Sequence, residues 1–321
     1  LQVYEWLYLK RVDSIDRMTN IKKEIQDKLK TDFSMEMIKV AQVQHDTDAH
    51  KYLFLLKDHN YIEAVLMEHD YGLSVCVSSE VGCNMGCKFC ESGRRKKVRN
   101  LEAYEMVEQI LLIEKDIGRR ISSVVVMGIG EPFDNYVNLM DFIRIINDPK
   151  GISIGARHIT VSTCGLVPKI YEFSKEDLQV NLALSLHAPN DEIRNQIMPI
   201  NKAYNIATVI KAIKDYIKET NRRVTIEYVM LEDINDSKEC ALELSKLLRG
   251  LNVYVNMIPY NETNHLEFSQ SNKKKIDEFY DTLVKNKINV TVRRRFGSNI
   301  DAACGQLRSK EEEKNENILF N

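Results

Sequence analysis

Six short apolar runs, each followed by a helical stretch, are what most limit the folds open to this chain. Residues 73–78, 121–127, 158–163, 180–186, 224–231 and 253–258 are bounded and rich in Val and Ile, as buried strands are. Residues 101–115, 136–146, 206–219 and 237–248 carry apolar side chains at helical spacing, and residues 273–285 do so after the sixth run. Strand-then-helix units repeated in this way pair their strands in parallel through right-handed crossovers. The pattern predicts an α/β fold, a partial (β/α)6 barrel with residues 61–67 adding a strand at its edge. Ligands are expected at the carboxyl ends of the strands.

Residues 1–57 read differently. Val3, Trp6, Leu7, Ile21, Ile25 and Leu29 fit short amphipathic helices, a small helical accessory unit with Thr19 or Asn20 as an N-cap between two of them. The expected division is an accessory domain over 1–60, the barrel over 61–298 and a C-terminal segment over 299–321. A start at Leu1 rather than at methionine leaves room for residues before it.

The loop after the first predicted strand holds Cys83, Cys87 and Cys90, spaced C-x3-C-x2-C. Three thiolates suit a 4Fe-4S cube and leave one iron open to an outside ligand. S-adenosylmethionine (SAM) can chelate that iron through its amino and carboxylate groups, and an electron then splits the sulfonium to a 5′-deoxyadenosyl radical. This is the radical-SAM signature. A structural zinc site wants four closed ligands, and no second Cys or His pair at matching spacing lies nearby. Phe89, before the third cysteine, is an aromatic able to shield a cluster.

Polar residues follow the other predicted strands. Gly130 and Glu131 lie in Met-Gly-Ile-Gly-Glu-Pro, where glycine lets backbone approach a ligand and the carboxylate can accept from an ammonium. Without the cysteines this is a tight strand-to-helix turn; with them it fits a segment that binds the amino group of SAM. Ser162 ends the third strand, Ser185, Leu186 and His187 end the fourth, and Asn261 follows the sixth, positions suited to ribose and adenine contacts.

With 321 residues and 44% hydrophobic content the chain can bury a substantial core. Seven cysteines in such a length do not make a disulfide scaffold, and no run of 18 apolar residues exists. A soluble, cytoplasmic protein without membrane contact is expected. A formal net charge of −2 does not advertise nucleic-acid binding, but phosphate contacts are local, and the basic runs 94–99 and 293–295 are candidates. Cys164 and Cys240 read as small buried thiols.

Several motifs together resemble the RlmN/Cfr radical-SAM RNA methyltransferases: residues 76–90 with their four cysteines, Val-Arg-Asn-Leu at 98–101, Met-Gly-Ile-Gly-Glu-Pro at 127–132, Ser-Leu-His at 185–187, Met-Pro-Ile-Asn at 198–201 and Asp-Ala-Ala-Cys-Gly-Gln-Leu at 301–307. Trp6-Leu-Tyr and Arg17-Met-Thr-Asn20 look more like the RlmN branch. Residues 91–97, beginning with Glu91, depart from the usual Ala-Thr-Gly-type segment of the family.

The resemblance implies methylation of carbon 2 of an adenine in large-subunit rRNA at the peptidyl-transferase centre, and of a tRNA anticodon-loop adenine. It implies two SAM per turnover, an electron donor such as flavodoxin or ferredoxin, and a monomer. Cys304 matches the cysteine that carries the methyl group, since the ring carbons of adenine are not nucleophilic. Cys76 matches the thiol that attacks Cys304 to release the product, joining the two in a disulfide. Glu63 aligns with the carboxylate assigned as proton acceptor, although a solvated strand carboxylate would read the same. Two alternatives remain at this stage: a Cfr-type methylation of carbon 8, conferring resistance to ribosome-targeting antibiotics, and a non-catalytic iron-sulfur protein that binds RNA or senses redox state. The extra thiols Cys76 and Cys304 argue against the second.

Overall fold

The computed structural model describes residues 1–35, 37–263, 265–294, 296–297 and 307–308. The chain opens with helices α1 (Gln2–Tyr8) and α2 (Lys23–Asp32), joined by a short 3-10 turn whose cap is Ser14. Neither Thr19 nor Asn20 caps α2, which begins at Lys23; Asn20 instead accepts from the Trp6 indole at 2.5 Å. Helical structure does not extend over all of residues 1–60. β1 (Lys39–His45) and β2 (Ala49–Leu55) are strands, because residues 49–55 put Tyr52 and Phe54 into the core and leave Lys51 on the opposite face.

β3 (Tyr61–His69) and β4 (Gly72–Cys76) follow, then a two-stranded ribbon of β5 (Glu80–Val81) and β6 (Arg99–Asn100) that closes the cysteine loop. Next come α3 (Ala103–Ile117), β7 (Ser123–Val126), α4 (Tyr136–Asn147), β8 (Ile159–Thr163), α5 (Val167–Phe173), β9 (Asn181–Ser185), α6 (Asp191–Ile197), α7 (Ile206–Thr220), β10 (Val224–Met230), α8 (Lys238–Leu248), β11 (Val253–Pro259), α9 (Lys273–Lys285) and β12 (Val290–Val292). The seven-residue α5 and α6 are too short to announce themselves by period.

Among the described residues ten strands form one sheet, ordered β1-β2-β3-β4-β7-β8-β9-β10-β11-β12. From β4 to β12 the pairing is parallel, and β1 to β4 are antiparallel. The six expected strands are therefore β4 and β7 to β11, extended by β12 on one side and by three strands rather than one on the other. Alternation along each strand separates two faces. Val75, Val77, Val124, Val126, Val161, Leu184 and Ile226 join the main core against the helices, while Cys76 lies on the inner face with Val65, Met67 and Val125. The helices are set by their caps and stripes: α7 buries Ile206, Val209, Ile210, Ile213 and Tyr216, and Asn205 caps it by accepting from the Thr208 amide.

Candidate active site

The cysteine loop is pinned at both ends. The Cys83 amide donates to the Arg95 carbonyl, the Cys90 amide to Cys87, and the Lys88 amide to Ile197 on α6. Gly93 lies so close behind that a Cβ there would stand 2.6 Å from the Cys87 carbonyl oxygen. Met85, Cys87 and Phe89 pack against a satellite cluster of Cys164, Ile197, Met198, Val229, Leu231 and Tyr260. Burial pushes the Cys83 thiol up to about 12 and the Cys87 thiol well above its ordinary value, so occupancy of the loop by a metal centre must be coupled to proton release. Among the described residues no group of three or more His, Cys, Asp or Glu is drawn together closely enough to hold a metal ion, the three loop cysteines included. A three-thiol loop with an apolar shield fits a 4Fe-4S cube, in which each thiolate takes its own iron.

Glu91, next after Cys90, is buried and faces inward. Its carboxylate pairs with Arg94 at 2.5 Å, meets the His265 ring at 3.0 Å and accepts from the Thr263 hydroxyl at 3.2 Å. Burial alone would push its pKa up, but Arg94 and His265 outweigh that and hold it below the usual carboxylate value. The departure at Glu91 thus ties the cysteine loop to the segment after β11.

The Met-Gly-Ile-Gly-Glu-Pro segment after β7 is a tight turn. Gly130 has φ +112°, and a Cβ on it would collide with the Glu80 side chain. Glu131 is buried; one carboxylate oxygen accepts from the Phe133 amide at 3.1 Å and the other from the Cys164 amide at 2.8 Å. These bonds aim the group and leave acceptor capacity for an ammonium. Burial raises its pKa.

The expected polar ends of β8 and β9 do meet: the Ser162 and Ser185 hydroxyls are 3.2 Å apart. They continue into a row that the sequence reading missed. Ser185 pairs in register with Glu227, and Glu227 with Asn256, whose amide donates to the Glu227 carboxylate at 2.8 Å. An acidic residue inside the apolar run 224–231 was the available signal. Leu186 is fully buried, and His187, with φ +58°, accepts from the Val229 amide at 3.1 Å. Asn261 sits partly exposed beyond β11.

Arg194 was also missed. Fully buried behind this rim, it donates to the Cys164 carbonyl at 2.6 Å, the Leu186 carbonyl at 3.1 Å and the Asn201 side chain at 2.9 Å, joining the segments after β8 and β9 to the Met-Pro-Ile-Asn motif.

Glu63 is not a solvated strand carboxylate. It is buried on the inner side of β3 and paired with the buried Lys51 at 3.0 Å. Cys76 pairs in register with Val65, two residues along the same face, so Glu63 and Cys76 share a wall. Cys304 and Arg295 lie outside the described residues. Of the basic runs, Arg94 is taken by Glu91, Lys97 by Glu80 and Asp134, Arg99 by Asp58 and Glu105, and Arg294 by Asp48; β12 ends before Arg293.

A partial parallel barrel whose cysteine loop, glycine turn and polar strand ends converge on the carboxyl rim defines a radical SAM enzyme, and a family model described as the radical SAM superfamily matches residues 77–244. A second, the ribosomal RNA large subunit methyltransferase N-terminal domain, matches residues 1–35. The chain is 54% identical over 315 residues to the "Probable dual-specificity RNA methyltransferase RlmN" of Spiroplasma citri, covering 97% of this chain and 91% of that one. Its identity to the protein of the same description from Enterococcus faecalis is 55% over 322 residues, with 98% and 90% covered. A crystal structure of a radical SAM methyltransferase from Sphaerobacter thermophilus superposes with a TM-score of 0.91 at 41% identity, covering 95% of this chain and 91% of that one. The chain belongs to the RlmN family of radical SAM RNA methyltransferases. No helix among its described residues is long and apolar enough to cross a membrane.

Proposed function

We propose that this protein methylates carbon 2 of an adenine in large-subunit rRNA at the peptidyl-transferase centre, and an adenine of a tRNA anticodon loop. Support comes from relatives described as dual-specificity enzymes and from the match of residues 1–35 to a ribosomal RNA methyltransferase N-terminal domain, which favours this branch over carbon 8 chemistry. The observation that carries the reading is the shared wall of Glu63 and Cys76, with a described piece of the C-terminal segment bonded to Glu63.

Cys83, Cys87 and Cys90 would hold a 4Fe-4S cluster, and Gly130, Glu131, Ser162, Ser185, Leu186, His187 and Asn261 would contact SAM. Together these groups, when bound, supply a methyl donor, an electron and a hydrogen-abstracting radical, with two SAM used per turnover. The chain's own residues divide the rest. The Cys304 thiolate accepts the methyl, because a thiolate is nucleophilic where an adenine ring carbon is not. Once the methyl carbon on Cys304 has bonded to the ring and the adduct has given one electron back to the reducing system, Glu63 takes the ring proton. The Cys76 thiolate then attacks the Cys304 sulfur, the S–S bond forming as the S–C bond breaks. The freed carbon takes up a proton to become the product methyl, leaving a disulfide that an external reductant must open. A flavodoxin- or ferredoxin-like donor, a monomeric state and a cytoplasmic site of action complete the reading. Nucleoside mass spectrometry of rRNA and tRNA from cells with and without the gene tests it: loss of 2-methyladenosine supports it, and loss of 8-methyladenosine instead would replace it with the Cfr-type reaction.

A further inference from the structure

The Glu63 carboxylate has two tasks written into its surroundings. One oxygen meets the Lys51 ammonium at 3.0 Å; the other accepts from the backbone amide of Arg308. Lys51 is fully buried, Glu63 nearly so, and Leu307 and Arg308 are buried with them. A carboxylate buried beside a cation, with a main-chain N–H on its remaining oxygen, is a strong directional acceptor. Its place in the fold is fixed by the Ser78 hydroxyl, which donates to the Glu63 carbonyl at 2.6 Å just past the end of β4, two residues beyond Cys76.

We propose that the Lys51–Glu63 pair is a docking post for the C-terminal segment, and that Lys51 is a positioning residue which presents that segment to the barrel wall bearing Cys76. Arg308 lies four positions after Cys304, and four residues of chain span at most about 14 Å. Anchoring the amide of residue 308 therefore restricts how far the methyl-carrying thiol assigned above can stray from the resolving one. Lys51 acts through Glu63, holding the carboxylate in line with the amide by a buried ion pair. The catalytic consequence rests on the proposed function, but docking itself does not.

Hydrogen exchange read by mass spectrometry on the full chain, before any cluster is loaded, tests docking directly. Peptides covering residues 305–310 should be protected in the wild type and exchange at least tenfold faster in Lys51→Met, with Lys51→Arg restoring most of the protection. Arg308→Pro removes the donor N–H and leaves the pair intact, so it should release the segment; Arg308→Ala keeps the N–H and should exchange more slowly than the proline variant. Barrel peptides unchanged from wild type show in each case that the variant has folded. Should Lys51→Met fail to fold, the comparison of proline with alanine at 308 decides alone. Wild-type-like protection in folded Lys51→Met, or equal exchange in the two 308 variants, would overturn the proposal. So would a released segment with unaltered kcat in the loaded enzyme, since presentation would then be idle. A wild type that docks but makes no methylated adenine would instead overturn the function assigned to the site.

Discussion

Phe89 stands edge-on to His187, with 5.0 Å between ring centroids and 83° between their planes. The contact joins the cysteine loop to the end of β9, and it holds a buried histidine. Accepting from the Val229 amide through Nδ1 places the proton of the neutral ring on Nε2. Burial, aided by the charge of Arg194, pushes its pKa down to about 3.

Acid stability should report this histidine. Because its folded-state pKa lies below its ordinary value, the unfolded chain takes up the proton first as pH falls. Its contribution is complete above about pH 6.5 and is lost progressively towards pH 3, at about 1.4 kcal/mol per unit. His187→Asn keeps an acceptor for Val229 but cannot titrate. Urea unfolding of the cluster-free protein should show the wild type losing about 2 kcal/mol more than this variant between pH 7 and pH 5. Parallel pH dependences would contradict a buried neutral imidazole.

Arg194 should matter to the rim as a whole. Arg194→Met would strand the Cys164 and Leu186 carbonyls and the Asn201 side chain, and each lost bond to a charged donor is worth about 1.5–3 kcal/mol. A loss of at least about 3 kcal/mol in unfolding free energy is expected. A change below 1 kcal/mol, in a variant that still folds cooperatively, would mean that water replaces the guanidinium on this rim.

Much of this was legible in advance. Strands β4 and β7 to β11 were visible because parallel strands buried on both faces are apolar runs, and the cysteine loop because its spacing carries chemistry. β1 and β2 were not, since residues 39–55 mix Lys, Gln and His with apolar side chains; the two strands pair with each other as a hairpin, and β2 alone joins it to β3. Glu227, Asn256 and Arg194 escaped for another reason: each acts by meeting a residue far away in sequence. The two faces of Glu63 could not be separated either, because burial beside Lys51 is a property of the sheet register.

The cysteine loop should behave as one unit. Anaerobically reconstituted protein is expected to hold a single 4Fe-4S cluster and to form 5′-deoxyadenosine from SAM on reduction, and replacing any one of Cys83, Cys87 or Cys90 by Ala should abolish both. Iron and sulfide analysis with chromatography of the nucleoside products is the check. Stoichiometric zinc without iron would refute the assignment.

RNA affinity should not depend equally on all the cations near this loop. Lys97 offsets the buried Glu80 and also meets Asp134, so Lys97→Ala should lower stability. Lys88 and Lys96 are exposed beside the loop, and replacing either by Ala should reduce the log-log salt slope of RNA binding by roughly 0.7–0.9 if it meets a phosphate. Filter binding across a salt series measures this. A slope that ignores both lysines would move the RNA path away from the cysteine loop.

Cys76 and Cys304 should fail in different ways. Cys304→Ala is expected to retain its cluster and make no methylated adenine, because the methyl group has no carrier. Cys76→Ala leaves the carrier, the cluster ligands and Glu63 in place, so the carbon bond to the adenine ring can form while the attack that frees it cannot. Denaturing gels and mass spectrometry should then reveal protein covalently joined to RNA through Cys304, absent from the double variant. Methylated product at the wild-type rate from either single variant, or no adduct from Cys76→Ala beside an active control, would exchange or remove the roles given to these residues, since the inner wall shared with Glu63 would then bear no thiol needed for release.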